Sequence, residues 1–129
     1  MAIELHAPVP EVVDLVNGVS RMLDREVASE LAARLGLKYL AVLGGTNETR
    51  VARRWTEENG TTPRQADNLR AALQAARAIA FAFGDAGARS WFGSTNAMLG
   101  FRAPIVLLRE ARSEDERSRV VAAAAQEVA

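Results

Sequence analysis

The chain of 129 residues has no cysteine, one histidine and one lysine, and no net charge at neutral pH. Each scarcity removes a class of function. Without cysteine there is no disulfide framework and no thiolate metal site, which suits a reducing compartment. The one histidine, His6, lies in the N-terminal tail, away from any His–carboxylate cluster or HExxH spacing that would hold a metal. A lone tail histidine is ordinarily a solvated one. No apolar run approaches the roughly 20 residues that a membrane-spanning helix needs. The N-terminus, with Glu4 and scattered apolar residues, lacks the charged-then-apolar order of a signal peptide. A cytoplasmic protein without membrane contact is expected.

Groups for catalysis are also missing. Gly44-Gly45-Thr46 lacks the spacing of a phosphate-binding loop, and the single Lys38 precedes the glycines instead of following them. Ser94 has neither the second flanking glycine of a nucleophile elbow nor a histidine partner. The carboxylate runs Glu57-Glu58 and Glu114-Asp115-Glu116 read as helix-surface charges and caps. No nucleophile–base pair can be assembled, so neither an enzyme nor a cofactor is expected.

What is present is a folding composition, 49% hydrophobic and 25% charged. The charge is unevenly placed. Residues 1–30 carry six acids against two arginines, residues 50–83 six arginines against three acids, and residues 113–129 four acids against two arginines. Basic charge is thus concentrated in the middle of the chain, where a nucleic-acid surface would need it.

Apolar residues recur at helical spacing almost throughout, which predicts an all-α fold. Pro10 can start a helix with Val12, Val16, Val19 and Leu23 along one stripe, continued at i+4 steps by Val27, Leu31 and Leu35 as far as Gly36. Gly18 and Asp24 leave open whether this is one kinked helix or two. Short helices follow at Leu37 to Leu43 and at about Asn47 to Glu58, the second ending at Asn59-Gly60. Thr62-Pro63-Arg64-Gln65 is a capping box with proline at the first helical position. The helix it opens places Leu69, Leu73, Ala76, Ala80 and Phe83 on one face and stops at Gly84. Its alanines at 71, 72, 75, 76 and 78 allow close helix–helix approach or dimer packing. Asp85 is placed to cap the helix carrying Trp91, Pro104 opens another short helix, and Ser113 to Glu116 forms a second capping box before a last helix.

Residues 37–58 have the pattern of a helix-turn-helix. Ala41 is small enough for close approach, Gly45 permits the turn, and Val51 and Trp55 lie i,i+4 on a face that can be buried. Arg50, Arg53 and Arg54 fall on other faces of the second helix, with Thr46, Asn47 and Thr49 near its start, the end that meets base edges in the major groove. These six are the candidate DNA-binding residues. The same three arginines would equally serve to solvate an amphipathic helix.

The densest stretch runs from Trp91 to Pro104, with two adjacent aromatics, two glycines, a capping Asn and a helix-starting Pro in 14 residues. Together with Ala88, Leu107 and Leu108, the residues Trp91, Phe92, Asn96, Leu99, Gly100, Arg102 and Pro104 resemble the C-terminal toxin-binding domain of the Xre/MbcA/ParS antitoxin family. Thr95 departs from that pattern, where proline is usual. Residues 51–55 resemble the family's Xre-type module, with the tryptophan displaced by one position.

The resemblance implies a helix-turn-helix bundle over residues 1–83 and a small helical toxin-binding domain over 84–129. It implies a type II antitoxin that neutralises a RES-domain toxin, an NAD-degrading or ADP-ribosylating protein, by covering its active site. It further implies operator binding for autoregulation and a homodimer within the complex. The implied toxin-binding residues are Trp91, Phe92, Asn96, Leu99 and Arg102, with the tail Gln126, Glu127, Val128 and Ala129. Trp91 and Phe92 would serve equally as core aromatics. The competing expectation is a stand-alone DNA-binding regulator without a toxin.

Overall fold

Side-chain caps or a first-turn proline mark several of the helix starts in the computed structural model, which describes residues 7–58 and 60–129. His6 and Glu4 lie outside the described residues, as does Asn59. The fold is all-helical. Helix α1 spans Pro10–Gly18 and runs into a 3-10 turn at Val19–Arg21. It is followed by α2 at Asp24–Leu35, α3 at Leu37–Leu43 and α4 at Thr49–Glu57. Helix α5 covers Pro63–Gly93, a second 3-10 turn Ala97–Leu99, α6 Pro104–Glu110 and α7 Glu114–Glu127.

The first capping box forms as the spacing predicts, and the second forms in part, with Arg112 N–H in place of the Ser113 N–H as backbone donor to the glutamate. The Thr62 hydroxyl accepts from Gln65 N–H at 3.2 Å and the Gln65 side chain accepts from Thr62 N–H at 2.9 Å. Ser113 Oγ accepts from Glu116 N–H at 3.2 Å, while Glu116 accepts from Arg112 N–H and the Ser113 hydroxyl. Those donors favour the ionised carboxyl and hold Glu116 below its ordinary pKa. At α2 only half of such a box exists: Leu23 is the N-cap and its N–H donates to Glu26 at 2.7 Å.

Three local expectations are corrected. Leu23 ends up half exposed, because the chain leaves the helical conformation at Met22 and the stripe restarts at Val27. Phe83 is 55% exposed, not core. Gly84, at φ 71° and ψ 178°, bends α5 there, so the face carrying Leu69 and Leu73 is not continued through the last turn before the bend. Asp85 does not act as a simple cap; its carboxylate accepts from Arg34 Nη1 at 2.9 Å, tying the second arm of α5 to α2. Arg89 Nη1 donates to the Arg34 carbonyl and the Tyr39 hydroxyl to the Arg89 carbonyl, which completes that seam.

Helix α5 is the central strut, packing against α1, α2, α3, α6 and α7. Ala71, Ala72, Ala75, Ala76 and Ala78 are all buried, so the neighbouring helices close directly onto its backbone. One apolar cluster joins Leu31, Leu40, Leu73 and Ile79 to Phe92, Leu108 and Val120, continuous across Gly84. Arg117, nearly buried, donates from Nε to Asn68 Oδ1 at 2.7 Å, and Asn68 Nδ2 donates to the Ala111 carbonyl at 3.2 Å. This polar chain fastens α7 to α5 within the core. Among the described residues no helix is long and apolar enough to cross a membrane.

Candidate functional site

The first candidate surface is α4 with the turn before it. Thr46 N–H bonds the Ala41 carbonyl at 2.9 Å, closing α3, and Gly45 takes φ 84° so that the chain can reverse. Gly44 has a different role. A Cβ there would collide with the outer ring of Trp55, which lies directly over its backbone. Ala52 and Trp55 are buried and Val51 is half buried, so Ala52 shares the anchoring that Val51 was expected to provide. Ser29 Oγ, from α2, donates to the Thr56 carbonyl and fixes the far end of α4. Asn47, Thr49, Arg50, Arg53 and Arg54 are exposed, and Thr46 is half exposed. The Thr46 hydroxyl is occupied in accepting from Glu48 N–H. An acid also stands at this end of the helix: Glu48 lies 3.8 Å from Arg50.

The basic charge of residues 50–83 divides into two kinds. On α5, Arg64 donates to the Ala111 carbonyl, Arg70 to the carbonyls of Val19 and Met22 and to Asp24, and Arg77 to the Leu15 carbonyl and both oxygens of Glu30. Glu30 also receives Arg34 Nε, and its carboxyl is held below the ordinary range, chiefly by the hydrogen bonds from Arg77 against the opposing cost of burial. On α4, the guanidiniums of Arg53 and Arg54 have no partner among the described residues. Three of the six arginines are therefore fastened into the fold, and the basic surface open to a ligand is narrower than the sequence count implies.

The second candidate surface lies at the bend of α5 and beyond it. A groove of about 690 Å³ is lined by Phe83, Trp91, Asn96, Met98, Gln126 and Glu127, among others. It brings the 91–98 segment and the end of α7 together, although some 30 residues of chain separate them. Asn96 organises its rim: Oδ1 accepts from Met98 N–H, its carbonyl accepts from the N–H groups of Leu99 and Phe101, and its own N–H donates to the Arg102 carbonyl. Gly100 and Phe101 both take left-handed conformations, φ 66° and 61°. Phe101 is thereby held 72% exposed in a backbone state that disfavours an aromatic residue.

The implied toxin-binding residues do not all lie on that surface. Phe92 is fully buried and Leu99 nearly so, both within the main core, so they support the segment from behind. Trp91 is half buried, edge-on to Phe92 with ring centroids 5.2 Å apart, and its indole N–H is enclosed without an acceptor among the described residues. Arg102 is half exposed and pairs with Glu110 at 2.9 Å. Gln126 and Glu127 belong to α7, and Val128 packs on the core. Glu127 and Ala129 are the exposed members of this tail, and Ala129 N–H still bonds the Gln126 carbonyl at 3.3 Å, so helical structure and the partial burial of Val128 carry the order to the end of the chain.

Phe83 and Phe101 were missed as surface features. A left-handed phenylalanine has no signature in apolar spacing, although Gly100 before it marks an irregular turn. Ser94 Oγ donates to the Ser90 carbonyl, which uses it in closing the helix. Among the described residues no group of acids and histidines could hold a metal ion. Compared with family models, with curated proteins and with solved structures, the chain matches none.

Proposed function

We propose that the protein is a type II antitoxin that covers the active site of a RES-domain toxin with the surface around the Trp91–Met98 groove, and binds operator DNA through α4. The observation that carries this reading is the groove itself. It unites the two stretches, 91–98 and the end of α7, that the antitoxin resemblance marks for the toxin. The exposed Phe83 in its wall supplies the aromatic contact that partner-binding surfaces favour. The free guanidiniums of Arg53 and Arg54, on a helix anchored from behind by Trp55, support the DNA half of the reading.

The test is neutralisation of a co-expressed RES-domain toxin, read as NAD consumption. Ala97 lines the groove and is exposed, so Ala97→Trp fills it without emptying the core. Arg102→Ala removes an exposed cation whose only ion pair among the described residues is with Glu110. Both variants are expected to keep the helical content and thermal stability of the parent and to inhibit the toxin at least about tenfold less well, a change equivalent to about 1.4 kcal/mol. Unchanged inhibition by both would overturn the occlusion reading. A parent protein that binds its promoter but does not inhibit the toxin at all would leave the stand-alone regulator as the better account.

A further inference from the structure

We infer that the cavity between the α3–α4 turn and the end of α6 is a phosphate-binding site. It has a volume of about 650 Å³ and is lined by Gly44, Thr62, Arg64, Arg109, Glu110 and Arg112 among others. Its walls are pinned. Gln65 Nε2 holds the Gly44 carbonyl at 2.9 Å, while Arg64 Nε and Asn68 Nδ2 both hold the Ala111 carbonyl, at 3.0 and 3.2 Å. The carbonyl of Ala111 thus fixes the connection between Arg109 and Arg112, and Glu116 holds the Arg112 backbone.

Inside this fixed frame the cations are unspent. The guanidiniums of Arg109 and Arg112 have no partner among the described residues, and Arg64 uses only Nε within the fold. Three arginines and one carboxylate, Glu110, therefore line the cavity, and that carboxylate is engaged by Arg102. Positive groups gathered in one concavity repel one another, and an anion with several oxygens relieves that repulsion with bidentate hydrogen bonds. Phosphate matches this chemistry better than a carboxylate does, because its oxygens point to several donors at once. Such a phosphate has two sources: a free phosphorylated ligand, or the DNA backbone alongside the Gly44-Gly45 turn of the helix-turn-helix.

The two sources are separated with pyrophosphate and with duplex promoter DNA as probes. Arg109→Gln with Arg112→Gln is the test variant, and Arg21→Gln with Arg25→Gln is the charge-matched control, all four side chains being exposed. Pyrophosphate is expected to bind the parent and the control saturably and to raise Tm. It should bind the test variant at least about tenfold more weakly, since two charge-assisted donors have been removed. If the DNA backbone is the natural source, the test variant also lowers the slope of log K against log salt by about 2, one for each arginine that no longer neutralises a phosphate. Either result supports the site, and pyrophosphate binding would stand even if α4 bound no DNA. The proposal is overturned if neither probe distinguishes the test variant from the parent, or if the control loses binding to the same extent.

Discussion

Arginine performs opposite tasks on α4 and α5. On α5, Arg70 and Arg77 reach back across 46 to 62 residues of sequence and end on carbonyls and carboxylates of α1, α2 and the turn between them. On α4, Arg53 and Arg54 end in solvent. The residue type is the same and the sequence distance between the sets is small. The difference lies in what stands opposite. The α5 arginines face the end of α1, the turn after it and acids of α2, where a guanidinium can satisfy several acceptors at once. The α4 helix has its buried side filled by Ala52 and Trp55, which leaves its arginines facing outward. Basic charge along a sequence is therefore a poor measure of a binding surface until the fold has claimed its share.

The strongest way to break this comparison is Arg77→Ala. It removes three hydrogen bonds to oxygen and leaves the Glu30 carboxylate, about three-quarters buried in the parent, with Arg34 as its remaining partner among the described residues. Breaking a fully buried pair costs roughly 3–5 kcal/mol, and the residual exposure here reduces that to about 2–3 kcal/mol. Urea denaturation checks it: a lowered midpoint at unchanged m is expected, and a loss below about 0.5 kcal/mol would place Arg77 with the surface arginines.

A smaller effect appears with acid. The folded protein holds the Glu30 carboxyl below its ordinary pKa, so the unfolded chain takes up this proton first as pH falls. Its contribution to stability is complete above about pH 4.3, the ordinary glutamate value, and declines as pH drops from there through the folded-state pKa. The stability difference between the parent and Glu30→Gln should accordingly be largest at neutral pH and shrink below about pH 4. A difference that stays constant on acidification would show that the pair contributes through packing alone.

The smallest effect on stability belongs to Arg53→Gln with Arg54→Gln. Both are exposed and without a partner among the described residues, and their replacement should change unfolding free energy by less than about 0.5 kcal/mol. Promoter affinity, in contrast, should fall, with the salt slope reduced by about 1 for each phosphate left without its arginine. A pair of substitutions that destabilised the fold as much as Arg77→Ala would erase the distinction between the two helices.

Helix starts were legible where the chemistry is local. Thr62 with Gln65, Ser113 with Glu116, and the prolines at 10, 63 and 104 mark their helices, because a cap involves residues within one turn of each other. Phe83 was not legible as exposed, since its place on the helical stripe is undone by the bend at the next residue. Asp85 has the sequence of a cap and the structure of an ion-pair partner, a choice made by Arg34 from 51 residues away. The helix-turn-helix pattern located α3 and α4, and of the candidates named in the 91–102 segment Trp91 and Asn96 line the groove, whereas Phe92, Leu99 and Arg102 do not. The convergence of that rim with α7, and the cavity around Arg109 and Arg112, come from long-range packing that periodicity does not carry.

The contact between Gly44 and Trp55 has a consequence best expressed as suppressor genetics. Position 44 tolerates only hydrogen as long as the outer indole ring covers it, and that ring is the part a phenylalanine lacks. Gly44→Ala should therefore be damaging on its own and far less so beside Trp55→Phe, with a coupling energy of about 0.5–3 kcal/mol, as for other residues in direct contact. The turn and the helix it delivers would then behave in a mutational library as a single heritable unit, in which a change at one position is rescued only by a matching change at the other.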